Sequence, residues 1–290
     1  MHGRRVFDVQ SFHCSGPAES HMRFSVLQRI SQMVSLREGL MLGEGGVISL
    51  VGAGGKTSLM YKLAHELSIA GESVLTTTTT KIFEPEPDQS YCVIVSDSVA
   101  RLMEQAGGVI NNHPHITMAR DRLPEQDKLI GFETETINTI WNSHLFRWIV
   151  VEADGAAGRP LKAPADHEPV IPDCTSCLVG LAGLSGIGRP LNDQWVFRPE
   201  RFGELAGLSR NAAITEIAVA DVFTHPNGIF KNAPAQAARL AFLNQADRPE
   251  NRAAGQRIAR LLSERKKSGM KRVVIGQARA DSPVLEIYEL

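Results

Sequence analysis

The feature that most limits what this chain can fold into is a glycine-rich segment, Gly52-Ala53-Gly54-Gly55-Lys56-Thr57-Ser58. It follows an apolar run at 47–51, which predicts a short buried strand, and it precedes an amphipathic pattern at 59–69, which predicts a helix. Glycines let a backbone pass close to an anion, and amides at the start of a helix bind phosphate. The segment therefore predicts a phosphate-binding loop, in which Lys56 adds positive charge and Thr57 is a ligand of Mg²⁺.

The exact form of the loop leaves an alternative open. The common phosphate-loop pattern has glycine where this chain has Leu50, whereas the shorter form present here, G-x-x-G-K-T-S, is similar to the ATP-binding loop of Mur-type peptidoglycan ligases. A dinucleotide-binding loop is the alternative, but it needs glycine in place of Thr57 and an acidic residue at the end of the second strand. The second strand ends in threonines, which favours the phosphate loop.

Short apolar runs alternate with amphipathic segments along most of the chain, as is typical of a doubly wound α/β fold with a mostly parallel sheet. The predicted strands lie at 47–51, 73–77, 92–95, 147–152, 176–181, 239–243, 271–276 and 284–287. The predicted helices lie at 24–42, 59–69, 98–105, 215–223, 234–237 and 250–267, and residues 107–135 show only a weak pattern. The sequence thus predicts a P-loop NTPase-like α/β domain over residues 22–290, with an irregular inserted region at 185–210 and a disordered extension at 1–21.

Polar residues follow two predicted strands at their carboxyl ends, where open α/β sheets bind ligands. Glu152 and Asp154 end one strand, and the alternation of side chains places both on the same side, within reach of one metal ion. A carboxylate at this place holds Mg²⁺ or its water in phosphate-loop enzymes, although a capped turn is the alternative. Thr79 and Lys81 follow the other strand, and we expect them to orient phosphate, water or metal; the alternative is that threonines simply favour strands and that the lysine is solvated.

A polar loop comes directly after the two carboxylates. It carries Arg159, Lys162, His167 and Glu168. Such residues beside a metal-binding strand end can grip a second substrate or neutralise charge in a transition state. A solvated surface loop is the alternative.

The segment Asn244-Gln245-Ala246-Asp247 follows a late buried strand and resembles the guanine-reading motif of GTPases, with Gln245 in place of the usual lysine. In that motif the aspartate accepts hydrogen bonds from the guanine, and the asparagine supports the base and its loop. We therefore expect Asn244 and Asp247 to hold the base, with GTP slightly favoured over ATP. The alternative is that Asp247 caps the helix beginning near Pro249.

Composition narrows the class of partner. The chain has 31 Lys plus Arg and 32 Asp plus Glu, a formal charge of −1, and so lacks the basic excess that nucleic-acid binding requires. No apolar run approaches the ~20 residues that cross a bilayer, and the N-terminus lacks the apolar stretch of a secretory signal. We expect a cytoplasmic protein that binds neither nucleic acid nor membrane.

A series of short blocks occurs in an order that is more specific than any one of them. The blocks lie at 50–58, 77–82, 151–156, 159–162, 167–172, 198–200 and 244–247. In this order they resemble the YqeC-like family, proposed accessory proteins of selenium-dependent molybdenum hydroxylases, over about residues 36–280. The resemblance adds Arg198 to the candidate substrate-binding residues, although Phe197 stands where the family often has a histidine. It implies a nucleotide-binding protein that helps to mature a molybdenum hydroxylase or its cofactor.

Together these features predict a nucleotide-binding accessory protein that hydrolyses GTP or ATP with Mg²⁺. The candidate catalytic residues are Lys56, Glu152 and Asp154, and Thr57 with the two carboxylates is the candidate metal site. Two alternatives stay open: a Mur-like ATP-dependent ligase or small-molecule kinase, and a non-catalytic, Rossmann-like nucleotide-binding module.

Overall fold

Alternating strands and helices make up residues 34–265 and 269–290, which are the residues that this computed structural model describes. The helices are α1 (Leu36–Gly39), α2 (Lys56–Ile69), α3 (Val99–Val109), α4 (Thr134–Asn142), α5 (Pro199–Ala206), α6 (Glu216–Thr224) and α7 (Pro249–Glu264). The strands are β1 (Gly46–Gly52), β2 (Val74–Thr78), β3 (Lys81–Phe83), β4 (Val93–Val95), β5 (His115–Ala119), β6 (Asp121–Leu123), β7 (Lys128–Ile130), β8 (Trp148–Glu152), β9 (Leu161–Lys162), β10 (Thr175–Gly183), β11 (Val196–Phe197), β12 (Ala238–Asn244), β13 (Met270–Gly276) and β14 (Val284–Glu289).

The main sheet has nine strands in the order β14-β13-β12-β10-β1-β8-β2-β5-β4. Neighbouring strands are parallel except for β13 and β14. The chain adds strands first on one side of β1 and later, from β10 onward, on the other. The predicted doubly wound, mostly parallel α/β fold is therefore confirmed, and its switch point lies beside β1, where such sheets form ligand crevices.

Side chains of β1 alternate between the two faces of the sheet, and both faces are buried. Ile48 and Leu50 pack in a core that includes residues of α1 and α2. On the other face, Val47 joins a core with α3 and α4, and Val51 joins one with α5, α6 and α7. Burial on both faces explains why the central strands are near-continuous apolar runs in the sequence.

The structure differs from the predicted elements in several places. Residues 107–135 contain β5 and two strands of a separate antiparallel sheet, β3-β7-β6, whose three-residue strands are too short to show a period. The predicted irregular region at 185–210 includes α5, which begins at Pro199, a position where proline is tolerated in a helix. The prediction of a helix at 234–237 is wrong, because these residues form a turn.

Some predictions lie partly or wholly outside the described residues. The extension at 1–21 does so completely, and of the helix predicted at 24–42 only the part containing α1 is described. The helix predicted at 250–267 ends at Glu264, before the undescribed residues 266–268. Within residues 34–265 and 269–290, no helix combines the length and the apolar character needed to span a bilayer.

Candidate functional site

The glycine-rich loop joins β1 to α2 at the carboxyl edge of the main sheet. Gly52 and Gly54 have φ values of +92° and +85°, in the left-handed region that favours glycine. A Cβ on Gly52 would overlap the carbonyl of Leu181, and a Cβ on Gly54 would overlap the amide of Gly183. Glycine is thus required at both positions by backbone angle and by close packing against β10.

The first part of the loop is held by other backbone segments. The amide of Ala53 donates to the carbonyl of Leu181 in β10 at 3.0 Å, and the amide of Gly54 donates to the carbonyl of Arg159 at 3.1 Å. These bonds fix the loop without using any side chain. Arg159 therefore contributes to the shape of the loop through its backbone, while its side chain donates to the carbonyls of Ala157 and Asp193.

Asn244, predicted to support a base, lies against the same loop. Its side chain is 5% exposed; Nδ2 donates to the carbonyl of Gly54 at 2.7 Å, and Oδ1 accepts from the amide of Ala278 at 2.8 Å. Asp247 is exposed beyond the end of β12. It does not cap α7, because Arg248 is the N-cap residue and no side chain there bonds the helix.

The amides of residues 55–58 form the open end of the loop. Gly55 is the N-cap of α2, and the amides of Gly55, Lys56, Thr57 and Ser58 have no acceptor among the described residues. The first amides of a helix lack partners within the helix and carry partial positive charge. This row of donors has the arrangement that binds phosphate in other proteins.

Lys56 is buried beneath the loop, with 4% exposure. Its Nζ donates to the carbonyl of Gly52 at 2.8 Å and lies 3.2 Å from Asp154 Oδ1 and 3.6 Å from Glu152 Oε1. Burial alone would lower the pKa of Lys56, but the two carboxylates outweigh it and raise the pKa above its usual value. The ammonium is therefore charged, and an incoming phosphate would compete with Asp154 for it.

Thr57 and Glu152 place two side-chain oxygens, of the kind that bind metal ions, beside the open amides. Thr57 Oγ1 donates to Glu152 Oε2 at 2.7 Å. Burial raises the pKa of Glu152, partly offset by Lys56. The described residues contain no group of three or more His, Cys, Asp or Glu side chains suited to a metal ion. The pair fits Mg²⁺ nonetheless, because this ion prefers oxygen and usually takes one or two carboxylates and completes its shell with phosphate and water.

Asp154 lies on the same side as Glu152, as predicted, but it has different partners. Its Oδ2 accepts from the amide of Gly52 at 3.0 Å and from Lys162 Nζ at 2.9 Å. Its Oδ1 is buried and contacts Lys56 as an ion pair without hydrogen-bond geometry. Asp154 thus joins the start of the loop to two lysines, which leaves Glu152 as the carboxylate better placed for a metal.

A buried ion-pair chain continues from Asp154 into the inserted region. Lys162 Nζ also contacts Glu168 Oε2 at 2.8 Å and the carbonyl of Gly155 at 2.6 Å, and Arg198 binds Glu168 through both terminal nitrogens at 2.7 and 3.0 Å. Burial opposes ionisation of Glu168, but Arg198 and Lys162 outweigh it and lower its pKa to about 2.

This ion-pair chain corrects one prediction. Lys162 and Glu168 were expected in an open loop, facing a second substrate or solvent, and they are instead buried and paired with each other. Arg198 is partly exposed and His167 is exposed, so a substrate role for these two stays a prediction.

The threonine-rich end of β2 lies beside Glu152 but is already hydrogen-bonded. Thr79 donates through its amide to the carbonyl of Glu152 at 3.2 Å and through Oγ1 to the carbonyl of Val170 at 2.8 Å. Lys81 is exposed in β3, which pairs with β7 in the small sheet. Within the described part of the chain no hydrogen bond or ion pair joins Lys81 to the glycine loop, so the structure agrees with the solvated alternative for this residue.

One residue at the loop was missed by sequence reasoning. Arg279, in the segment after β13, donates from Nε to Ser58 Oγ at 3.2 Å. No motif surrounds this arginine. The available signal was its position just after the last parallel strand, since the carboxyl ends of parallel strands meet at one edge of a sheet.

Comparison with known proteins identifies the family. Two crystal structures of FtsY from Mycoplasma mycoides are similar at TM-scores of 0.35 and 0.33, with 10% and 11% identity over 83% and 85% of this chain. The chain spans 62% and 66% of the length of those structures. The chain is also 33% identical, over 225 residues, to an uncharacterised YqeC protein of Escherichia coli (strain K12), covering 75% of this chain and 83% of that relative. The sequence profile of the YqeC protein family matches residues 48–200, and the chain therefore belongs to this family.

Proposed function

We propose that the protein binds a nucleoside triphosphate with Mg²⁺ at the 52–58 loop and hydrolyses its terminal phosphate. The observation that carries this proposal is the row of amides at 55–58, which have no acceptor in the described residues and lie beside the Thr57–Glu152 pair. Preformed amides of this kind bind phosphate with little cost of reorganisation.

The metal would be held by Thr57 and Glu152 together with phosphate oxygens. Mg²⁺ would neutralise charge on the transferring group. The Thr57 hydroxyl would then turn its proton away from Glu152, since it now donates to that carboxylate. The raised pKa of Glu152 supports this role, because an adjacent cation restores the charge that burial disfavours.

Hydrolysis in such a site depends on positioning and electrostatics more than on covalent chemistry. Lys56 supplies a fixed positive charge below the phosphates, and Asp154 holds both Lys56 and the amide of Gly52. A ligase or kinase would need further side chains to bind the substrate that accepts the phosphate. Lys162 and Glu168 are paired with each other, so the geometry favours hydrolysis over transfer to a second substrate.

Base recognition is the finer part of the proposal. Asn244 contacts the loop directly, and Asp247 follows it with no hydrogen-bond or ion-pair partner among the described residues. An exposed carboxylate three residues after the loop-contacting Asn244 suits the ring N–H and exocyclic amine of guanine. We therefore propose GTP over ATP.

The biological role is proposed from the family resemblance. The protein would act with a selenium-dependent molybdenum hydroxylase or its cofactor-maturation proteins, and hydrolysis would time the handover of the cofactor.

The test is calorimetric titration with GTP and ATP, with and without Mg²⁺, followed by measurement of phosphate release without a co-substrate. Lys56→Gln should weaken triphosphate binding at least tenfold and leave nucleoside binding unchanged, because it removes a charge-assisted contact. Lys62→Gln, on the same helix but beyond its first turn, is the control with the same charge change. Equal triphosphate affinity in the Lys56 variant would contradict the site, and binding without phosphate release would contradict hydrolysis.

A further inference from the structure

Arg279 lies at the rim of the open amides. Its Nε donates to Ser58 Oγ at 3.2 Å, and its side chain is exposed. Among the described residues no carboxylate pairs with Arg279, and its two terminal nitrogens have no acceptor. The guanidinium therefore keeps most of its donors available for a ligand.

The position of this arginine is electrostatically unfavourable without an anion. A cation near the N-terminus of a helix is repelled by the partial positive charge of the first amides. The ion-paired charges beneath the loop balance one another, since Lys56, Lys162 and Arg198 contact Glu152, Asp154 and Glu168. Arg279 is outside this balanced set, so its charge adds to that of the open amides.

The order of strands in the sheet indicates whether Arg279 would contact the terminal phosphates or the nucleoside end of a bound nucleotide. Thr57 points to Glu152 in β8, whereas Ser58 points to Arg279 after β13, and these two strands lie on opposite sides of β1. The metal-binding pair marks the side of the terminal phosphates. The side of β12 and β13 carries Asp247, the proposed base-binding residue, and is therefore the nucleoside side.

We propose that Arg279 binds the phosphate attached to the ribose and that Ser58 orients the guanidinium for this contact. The inference rests on the proposed function and extends it to a binding residue from the C-terminal part of the chain. A guanidinium matches two oxygens of one phosphate, which gives both affinity and orientation.

The test compares guanosine, GMP, GDP and GTP, and the matching adenosine series, by calorimetric titration. Arg279→Gln should weaken the mono-, di- and triphosphate by a similar factor of about tenfold, because all three share the same innermost phosphate, and should leave the nucleoside unchanged. Lys56→Gln should instead weaken the triphosphate more than the monophosphate. Ser58→Ala keeps the cation but removes its orientation, and should have a smaller effect in the same pattern.

Arg101→Gln is the matched control, since Arg101 is an exposed arginine on α3 at the far end of the sheet. Arg279→Gln should unfold at the same temperature as the wild type, because the side chain is exposed. The inference is overturned if wild-type protein binds GTP through Lys56 while Arg279→Gln binds GMP and GTP with unchanged affinity, or loses affinity for GTP alone. If the wild type binds no member of either series, the proposed function fails together with the inference.

Discussion

Replacing Asn244 with alanine tests whether this residue supports the loop or reads the base. The side chain makes two buried hydrogen bonds, at 2.7 Å to the carbonyl of Gly54 and at 2.8 Å from the amide of Ala278. Alanine leaves both backbone groups buried without a partner, and each such group costs about 1–3 kcal/mol. Asn244→Ala should therefore lower the free energy of unfolding by about 2–6 kcal/mol, a large part of the 5–15 kcal/mol typical of a folded domain.

The assay for Asn244→Ala has two parts. Urea denaturation gives the change in stability, and titration with GTP and ATP gives the change in binding. Because Gly54 belongs to the loop proposed to bind phosphate, we expect both triphosphates to lose affinity by a similar factor. Asn251→Ala is the control, since Asn251 donates one partly buried hydrogen bond to the carbonyl of Gln245 and, in the part of the chain that the structure describes, makes no hydrogen bond to the loop.

Two results would refute the reasoning about Asn244. Unchanged stability would show that its hydrogen bonds do not hold the loop. A loss of GTP binding with normal ATP binding would show that Asn244 acts on the base and not on the loop.

Three further predictions concern the charged residues around the site. The pKa of Glu168 is lowered from an ordinary 4.5 to about 2, so its ionised form stabilises the fold above pH 4.5, and this stabilisation is lost as the pH falls toward 2. The urea midpoint should therefore fall less steeply with acid in Glu168→Gln than in the wild type, and equal slopes would contradict the ion pairing. Lys162→Met leaves Asp154 and Glu168 without a shared buried cation and should cost about 3–5 kcal/mol in urea denaturation, whereas a cost below 1 kcal/mol would show that the ion-pair chain is not important for stability. Glu152→Gln should reduce the gain in triphosphate affinity that Mg²⁺ gives, as measured by titration with and without the ion, and an unchanged gain would exclude Glu152 as a metal ligand.

The fold was predictable wherever burial leaves a local pattern in the sequence. The central strands are buried on both faces and therefore form apolar runs, and the glycine loop lies between one such run and a helix. The strands β3, β6 and β7 have three residues each and left no pattern. The helix α5 was missed because the glycines and prolines around it resemble those of an irregular loop.

The site was predictable only in its local parts. Lys56, Thr57, Glu152 and Asp154 stand in short motifs, and the structure brings them together. Charge type alone cannot distinguish a solvated loop from a buried ion-pair chain, which is why Lys162 was misplaced.

The bonds that hold the loop, and the approach of Arg279, join residues that are distant in sequence and belong to no motif. The sequence showed that Asn244 and Arg159 follow strands, but not that both would contact Gly54.

The hydrogen bonds that hold Gly54 and its neighbours have a consequence for the order in which the protein folds. The bond from Asn244 spans 190 positions of the chain, and the bond from Asp154 to the neighbouring Gly52 spans 102. Contacts between residues so distant in sequence form late in folding, because the entropy cost of closing a long loop comes before the stabilisation that the contact gives. A refolding molecule would therefore form its helices and early strands before it acquires the proposed affinity for a triphosphate. Gain of triphosphate binding during refolding would then report that β12 has joined the sheet.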